Sequence, residues 1–247
     1  MREVYIAYFD FMGFKEFIQN NDDETLIIRM GHIFRDIEMS LGQGQYQEPR
    51  NGLMLADVSH SKLNCLNISD TVIMWTNECE LESLKELIDV AYDFNWRENG
   101  FNFPLRGVVL KGKIGDVNGR QENSQGGSYS VQCLYGKGIV DAHLKAESQN
   151  WAGTVIDQTI IEDLKRYNQI DFIKEMTTKY DVPYKTGNIN EFVFKIKKGP
   201  LNDTFLQNTL IAIDRVFSMD NKSISSDSIK QKIENTKKFI IDTKDEL

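Results

Sequence analysis

Asp10 closes an apolar run, Tyr5-Ile6-Ala7-Tyr8-Phe9-Asp10, and Asp70 sits between two others, Leu63 to Ile68 and Thr71 to Trp75. A carboxylate beside a buried strand is costly unless a hydrogen-bonding cap, a basic partner or a bound cation compensates it. A divalent cation held by two carboxylates from neighbouring strands is a platform for chemistry on nucleotide phosphates. The functional reading therefore turns on whether these two aspartates meet. Taken singly, Asp10 fits a helix N-cap and Asp70 fits a hairpin turn; as a pair they read as metal ligands.

Other residues gather around that pair. Gly13 and Phe14 open a helix, where free backbone N–H groups can hold phosphate, although a Gly there equally serves strand-to-helix turning. Arg106 starts an otherwise apolar strand and has two partners open to it, a carboxylate or a triphosphate, while Lys111 reads as a solvated strand end. His32, His60 and His143 are scattered, with no Ser or Cys at a telling spacing, so a nucleophilic triad has no support. Cys65, Cys79 and Cys133 form neither a disulfide framework nor a zinc pattern. Trp96 and Trp151 read as core or interface residues.

The elements that must position these groups follow from periodicity. Residues 4 to 10 read as a buried strand and 14 to 18 as the start of a helix. Asp22 or Asp23 caps a longer helix whose apolar stripe is Leu26, Ile27, Met30, Ile33, Phe34, Ile37 and Leu41. A polar, Gly-rich loop over 42 to 61 leads to two strands separated only by Ser69-Asp70, a tight hairpin. Leu81, Leu84, Leu87, Ile88, Ala91 and Phe94 mark a second amphipathic helix, and Pro104 to Lys111 a further strand. The order strand, helix, strand, strand, helix, strand is that of the α+β, ferredoxin-like βαββαβ unit, whose first and third strands lie side by side. Asp10 and Asp70 then face one site. Downstream, 115 to 128 reads as a loop, 136 to 148 as a helix, 154 to 157 as a strand, 158 to 167 as a helix, 191 to 197 as a strand, and 203 to 218 and 227 to 241 as helices.

The chain has 247 residues, a net charge of −8 and 40% hydrophobic residues, enough for one sizeable core but unsuited to a broad nucleic-acid surface. It reads as one domain over 1–247, with a core over about 1–160 and an extension over about 161–247 packed on it. No stretch approaches the roughly 20 apolar residues of a membrane span, and no signal peptide is visible. The expected compartment is a reducing cytoplasm.

These residues resemble a known family. Phe9-Asp10-Phe11-Met12-Gly13-Phe14 is similar to the first metal motif of class III nucleotidyl cyclase catalytic domains, and Ser69-Asp70 to the second. Leu105-Arg106-Gly107 with Gly112 resembles their fourth strand, and Leu134-Tyr135-Gly136-Lys137-Gly138 with Ala142 and Glu147 their post-loop helix. Tyr180-Asp181-Val182-Pro183 and Glu234 to Phe239 look like the bacterial branch that includes the pyrimidine cyclases of Pycsar antiphage defence. The resemblance implies two Mg²⁺ or Mn²⁺ ions held by Asp10, Asp70 and the Phe11 carbonyl. It implies substrate binding by Phe11, Gly13, Phe14 and Arg106, and attack of a ribose 3′-hydroxyl on the α-phosphorus. It also implies a head-to-tail homodimer with interface sites, UTP or CTP as substrate, and a cyclic product read by a separate effector.

Two departures stand out. The family's Asn and Arg, four residues apart on the post-loop helix, fall on Val140 and Leu144 without gaps; a one-residue shift gives Asp141 and Lys145. Lys145 is the candidate for transition-state charge, lacking the bidentate geometry of Arg, and a surface ion pair of Asp141 with Lys145 is the plainer alternative. The positions that select adenine in purine cyclases fall near Leu66-Asn67 and Cys133, neither of the adenine-selecting type. Asn67 is a candidate to read a base edge, with hairpin hydrogen bonding as its alternative. Two rival functions remain: a non-catalytic cyclase-like nucleotide sensor, and a palm-type dinucleotide synthase sharing the βαββαβ core.

Overall fold

A computed structural model describes residues 1–49 and 54–246. Its first strand, β1 (Arg2–Phe11), is central and buried on both faces. Val4, Ile6 and Tyr8 point into one apolar cluster, Tyr5, Ala7, Phe9 and Phe11 into another. This period-2 alternation with no polar side makes a sheet covered twice.

After β1 come α1 (Phe14–Asn20), α2 (Asp23–Gly42), the hairpin β2 (Asn64–Ile68) and β3 (Thr71–Trp75), α3 (Leu81–Phe101) and β4 (Leu105–Glu122). The strand order β2-β3-β1-β4 is the one a βαββαβ unit requires, with β1 antiparallel to both neighbours. The α+β, ferredoxin-like expectation holds. Asp22 caps α2 by accepting a hydrogen bond from the Thr25 amide at 2.9 Å, as its position predicts. The remainder is β5 (Ser128–Tyr135), α4 (Lys137–Ser148), β6 (Gly153–Ile156), α5 (Gln158–Arg166), β7 (Thr177–Tyr184), β8 (Gly187–Phe194), α6 (Asp203–Ser218) and α7 (Asp227–Asp242). β6 adds parallel to β4, then β8 and β7 extend the sheet. Side chains of α1, α2, α3 and α5 fill one cluster; those of α4, α6 and α7 fill the other.

Several expectations need correction. Residues 115 to 128 are mostly strand: β4 runs on to Glu122 and pairs with β5 from Gly115↔Tyr135 to Glu122↔Ser128. This ribbon is exposed along most of its length, so neither face carries the apolar alternation by which a strand is recognised. β7 has no counterpart among the predicted elements, and β8 begins and ends earlier than 191 to 197. On α2, Ile27 and Phe34 face solvent at 73% and 49% exposure, so its buried stripe is narrower than its spacing implies. The 42 to 61 loop includes 50–53, which lie outside the described residues; its remainder carries an isolated bridge, Tyr46↔Ala56. Trp151 is fully buried, against Phe239. Among the described residues no helix is long and apolar enough to cross a membrane.

α4 reaches the sheet through two glycines. A Cβ on Gly112 of β4 would lie 2.6 Å from the Gly138 Cα at the start of α4, so the two backbones approach too closely for any side chain.

Candidate active site

The two aspartates are neighbours. Asp10, next to last on β1, lies opposite Thr71 on β3 and Arg106 on β4. Asp70 precedes Thr71 in the β2–β3 turn, and its carbonyl accepts a 2.8 Å hydrogen bond from the Phe11 amide. The turn is tight because Ser69 takes a left-handed conformation, with φ of 55°. Asp10 belongs to the side of β1 that carries Tyr8, so it points toward the α4 and α7 layer.

Asp10 does not cap α1; Gly13 does, in a left-handed conformation with φ of 79°. Asp10 is instead compensated by Arg106, whose Nε donates to its Oδ2 at 2.7 Å. The side chains are 17% and 14% exposed. Arg106 also donates from Nη1 to the Glu147 carbonyl at the end of α4, at 2.8 Å. Of the two partners open to Arg106 in the sequence, the structure shows the carboxylate. Burial pushes the Asp10 carboxyl above its usual range; Arg106 opposes the shift and the nearby Asp70 charge adds to it. The two carboxylates thus share a half-buried corner in which Arg106 is the one directly bonded cation among the described residues.

The donors fit a hard divalent ion. They are carboxylate oxygens at the end of a rigid strand, which suits Mg²⁺ or Mn²⁺. Among the described residues no group of three or more His, Cys, Asp or Glu could enclose a metal. Mg²⁺ held by one or two carboxylates draws its remaining ligands from water and substrate phosphates, so Asp10 and Asp70 fit an ion that arrives with its substrate.

Other predicted residues stand apart or have structural duties. Lys145 is held by two carboxylates, Asp157 at 2.6 Å and Glu191 at 2.5 Å, and no contact links it to Asp10. Asp141 pairs with Lys137 at 3.7 Å, so the Asp141–Lys145 surface pair does not form. Asn67 donates to the Thr71 carbonyl at 3.1 Å and so braces its own hairpin. Lys111 is not a solvated end: it lies inside β4, 3.1 Å from the buried Asp163. Gly13 and Phe14 do sit beside Asp10, immediately after β1.

Two residues near this corner escaped the sequence reading, and a third, His143, reads there only as one of three scattered histidines. His143 of α4 shares a 3.0 Å hydrogen bond with the Tyr8 hydroxyl, two residues before Asp10 on the same side of β1. Lys185 pairs with Glu147 at 3.2 Å, beside Arg106. Lys232 of α7 feels Arg106, Lys185 and Asp10. His143 lies two residues before Lys145 in a segment already singled out. Lys185 and Lys232 carry no local signal, since long-range packing alone brings them here. A cavity of about 670 Å³ lies elsewhere, between the ends of α2 and α3.

No family model and no curated protein matches the chain. Among solved structures, it is similar to the guanylate cyclase domain of RhGC from Catenaria anguillulae in complex with GTP, at 12% identity over 78% of this chain and 96% of that one, with a TM-score of 0.49. It is also similar to the adenylyl cyclase CyaB from P. aeruginosa, at 10% identity over 81% and 97%, TM-score 0.45. A third is a Trypanosoma brucei adenylate cyclase in its monomeric state, at 9% identity over 79% and 90%, TM-score 0.44.

Proposed function

We propose that this chain is a metal-dependent nucleotidyl cyclase that converts UTP or CTP to its 3′,5′-cyclic monophosphate and pyrophosphate. One observation carries the reading: Asp10 and Asp70 meet at the end of a central strand, with Arg106 between them and the α4–α7 layer. Two bound Mg²⁺ or Mn²⁺ ions supply charge neutralisation on the phosphates and a lowered pKa for the ribose 3′-hydroxyl. Asp10, Asp70 and the Phe11 carbonyl hold them. The Gly13–Phe14 turn receives the phosphates. Arg106 exchanges its bond to Asp10 for one to the triphosphate, so its charge stays compensated in both states. The pyrimidine preference is supported by the absence of adenine-selecting residue types at Asn67 and Cys133. On this reading the enzyme is a homodimer in which Lys145 serves the partner's site. Its product is a second messenger for a separate effector in antiviral signalling.

A sensor that binds nucleotide without turnover has one observation in its favour: Lys145 is bound to Asp157 and Glu191. Incubation with each of ATP, GTP, CTP and UTP plus Mn²⁺, followed by mass spectrometry, separates the readings. A cyclic monophosphate from UTP or CTP that is lost in Asp10→Ala supports the cyclase. Nucleotide binding with no product supports the sensor, and a dinucleotide product would point to the palm-type synthase.

A further inference from the structure

The C-terminal helix α7 packs across the end of the sheet that carries Asp10. One turn before Lys232, Ile229 lines a small cavity with Met12 and Gly13, the residues that follow β1. One turn after it, the Thr236 hydroxyl accepts a 2.8 Å hydrogen bond from the Ala152 amide, and Asn235 donates to the Asn150 carbonyl at 2.7 Å. Residues three and four apart share a helix face, so Lys232 lies on the face held between the Met12–Gly13 turn and the start of β6. There Gly153 of β6 is the register partner of Arg106, and Arg106 is bound to Asp10.

We infer that Lys232 binds the polyphosphate tail of the nucleotide in cis, so that α7 is part of the active site. The inference deepens the cyclase reading and rests on it for the identity of the ligand. Among the described residues Lys232 makes no ion pair or side-chain hydrogen bond. The charges that act on it are those of Arg106, Lys185 and Asp10. Both of those cations already have partners: Asp10 and the Glu147 carbonyl for Arg106, the Glu147 carboxylate for Lys185. Lys232 is thus a half-buried ammonium with three donors unspent, on the face of α7 that packs toward the Met12–Gly13 turn and the start of β6. Burial lowers its proton affinity, and Arg106 and Lys185 lower it further. A group in that state gains when a polyanion arrives.

The gathering of Arg106, Lys185 and Lys232 selects for a chain of phosphates over a single carboxylate or phosphate. Three cations from β4, the segment after β7 and α7 present a spread of positive charge. The anchors at Ile229, Asn235 and Thr236 fix α7, which favours a preset contact over a mobile tail.

Isothermal titration of the full chain with inorganic tripolyphosphate in Mg²⁺ tests this, using wild type, Lys232→Gln, Lys232→Arg and, as a control, the exposed Lys238→Gln. Lys232→Gln should bind roughly tenfold to a hundredfold more weakly, as loss of a charge-assisted contact predicts. Lys232→Arg and Lys238→Gln should stay within a few-fold of wild type, and all four should melt alike. Wild-type affinity in Lys232→Gln, or no tripolyphosphate binding by the wild type, overturns the inference. Lys232-dependent binding without cyclic product from any nucleotide leaves the inference standing and removes the cyclase reading. Product formation with KM and tripolyphosphate affinity unchanged in Lys232→Gln does the reverse.

Discussion

If a divalent cation belongs between Asp10 and Asp70, then Arg106 holds its place in the nucleotide-free protein. Removing Arg106 should therefore turn a weak metal site into a stronger one. In Arg106→Met the chain keeps an apolar stem of similar reach but loses the guanidinium, leaving Asp10 half-buried beside Asp70 without its bonded counter-charge. Breaking a fully buried pair costs 3–5 kcal/mol. At 17% and 14% side-chain exposure some solvent screening remains, so a loss of about 1–3 kcal/mol is expected. At about 2–4 °C per kcal/mol for a chain of this size, that is a fall of roughly 2–12 °C in Tm. A cation that binds only the folded state returns stability by mass action, about 2.7 kcal/mol at a hundred times its Kd. Differential scanning fluorimetry with and without MnCl₂ measures both effects. Mn²⁺ should raise the Tm of Arg106→Met more than that of wild type, and should fail to do so in Asp10→Asn Arg106→Met. An equal rise in wild type and Arg106→Met, or a rise that survives in the double variant, would refute metal ligation by Asp10.

Further outcomes follow from groups outside that corner. Lys145 holds the Asp157 carboxyl below its usual range against the opposing effect of burial. Asp157 therefore contributes stability that is present above the unfolded carboxylate range near pH 4 and lost as pH falls through the lower folded value. Lys145→Ala should flatten the Tm–pH curve on that acid limb. Glu98 is the opposite case. Full burial, with Asp36 adding to it, raises its carboxyl well above the usual range. Its contribution is present below about pH 4 and is lost as pH rises toward the folded value, so urea titrations should find Glu98→Gln gaining on wild type between pH 5 and pH 8. Gly112→Ala forces a Cβ to 2.6 Å from the Gly138 backbone. It should cost about 1–3 kcal/mol or more by lifting α4 off β4, seen as a lowered Tm and a changed near-ultraviolet spectrum.

The parts of the fold that were legible in the sequence share a cause. β1, the β2–β3 hairpin and α3 each bury a continuous apolar face, and burial is what periodicity records. Asp10 stood out because it interrupts such a face, and Asp70 because a two-residue gap between strands admits only a tight turn. The β4–β5 ribbon has no buried face along its outer part, so its sequence reads as loop although its ladder is complete from Gly115 to Glu122. The helix that carries Lys145, predicted over 136 to 148, forms as α4. The carboxylate partners of Lys145 come from the residue after β6, in the next element, and from β8 farther along the chain, and tertiary packing brings both to it.

The corner around Asp10 shows why its chemistry is divided between legible and illegible parts. Acidic groups sit on β1 and its neighbouring hairpin, where strand register fixes them to within one residue and a slip would turn them to the other face. The cations are assembled differently: Arg106 comes from the register partner of Asp10, but Lys185 and Lys232 come from segments that reach this end of the sheet only after β6, β8 and β7 have been laid beside β4. A carboxylate pair can therefore be read from a short stretch of sequence, while the charge that answers it depends on the whole topology. The strands and turn that set Asp10, Asp70 and Arg106 in register all precede α7, whereas Lys232 lies on it; on the reading developed above, polyphosphate binding draws on both.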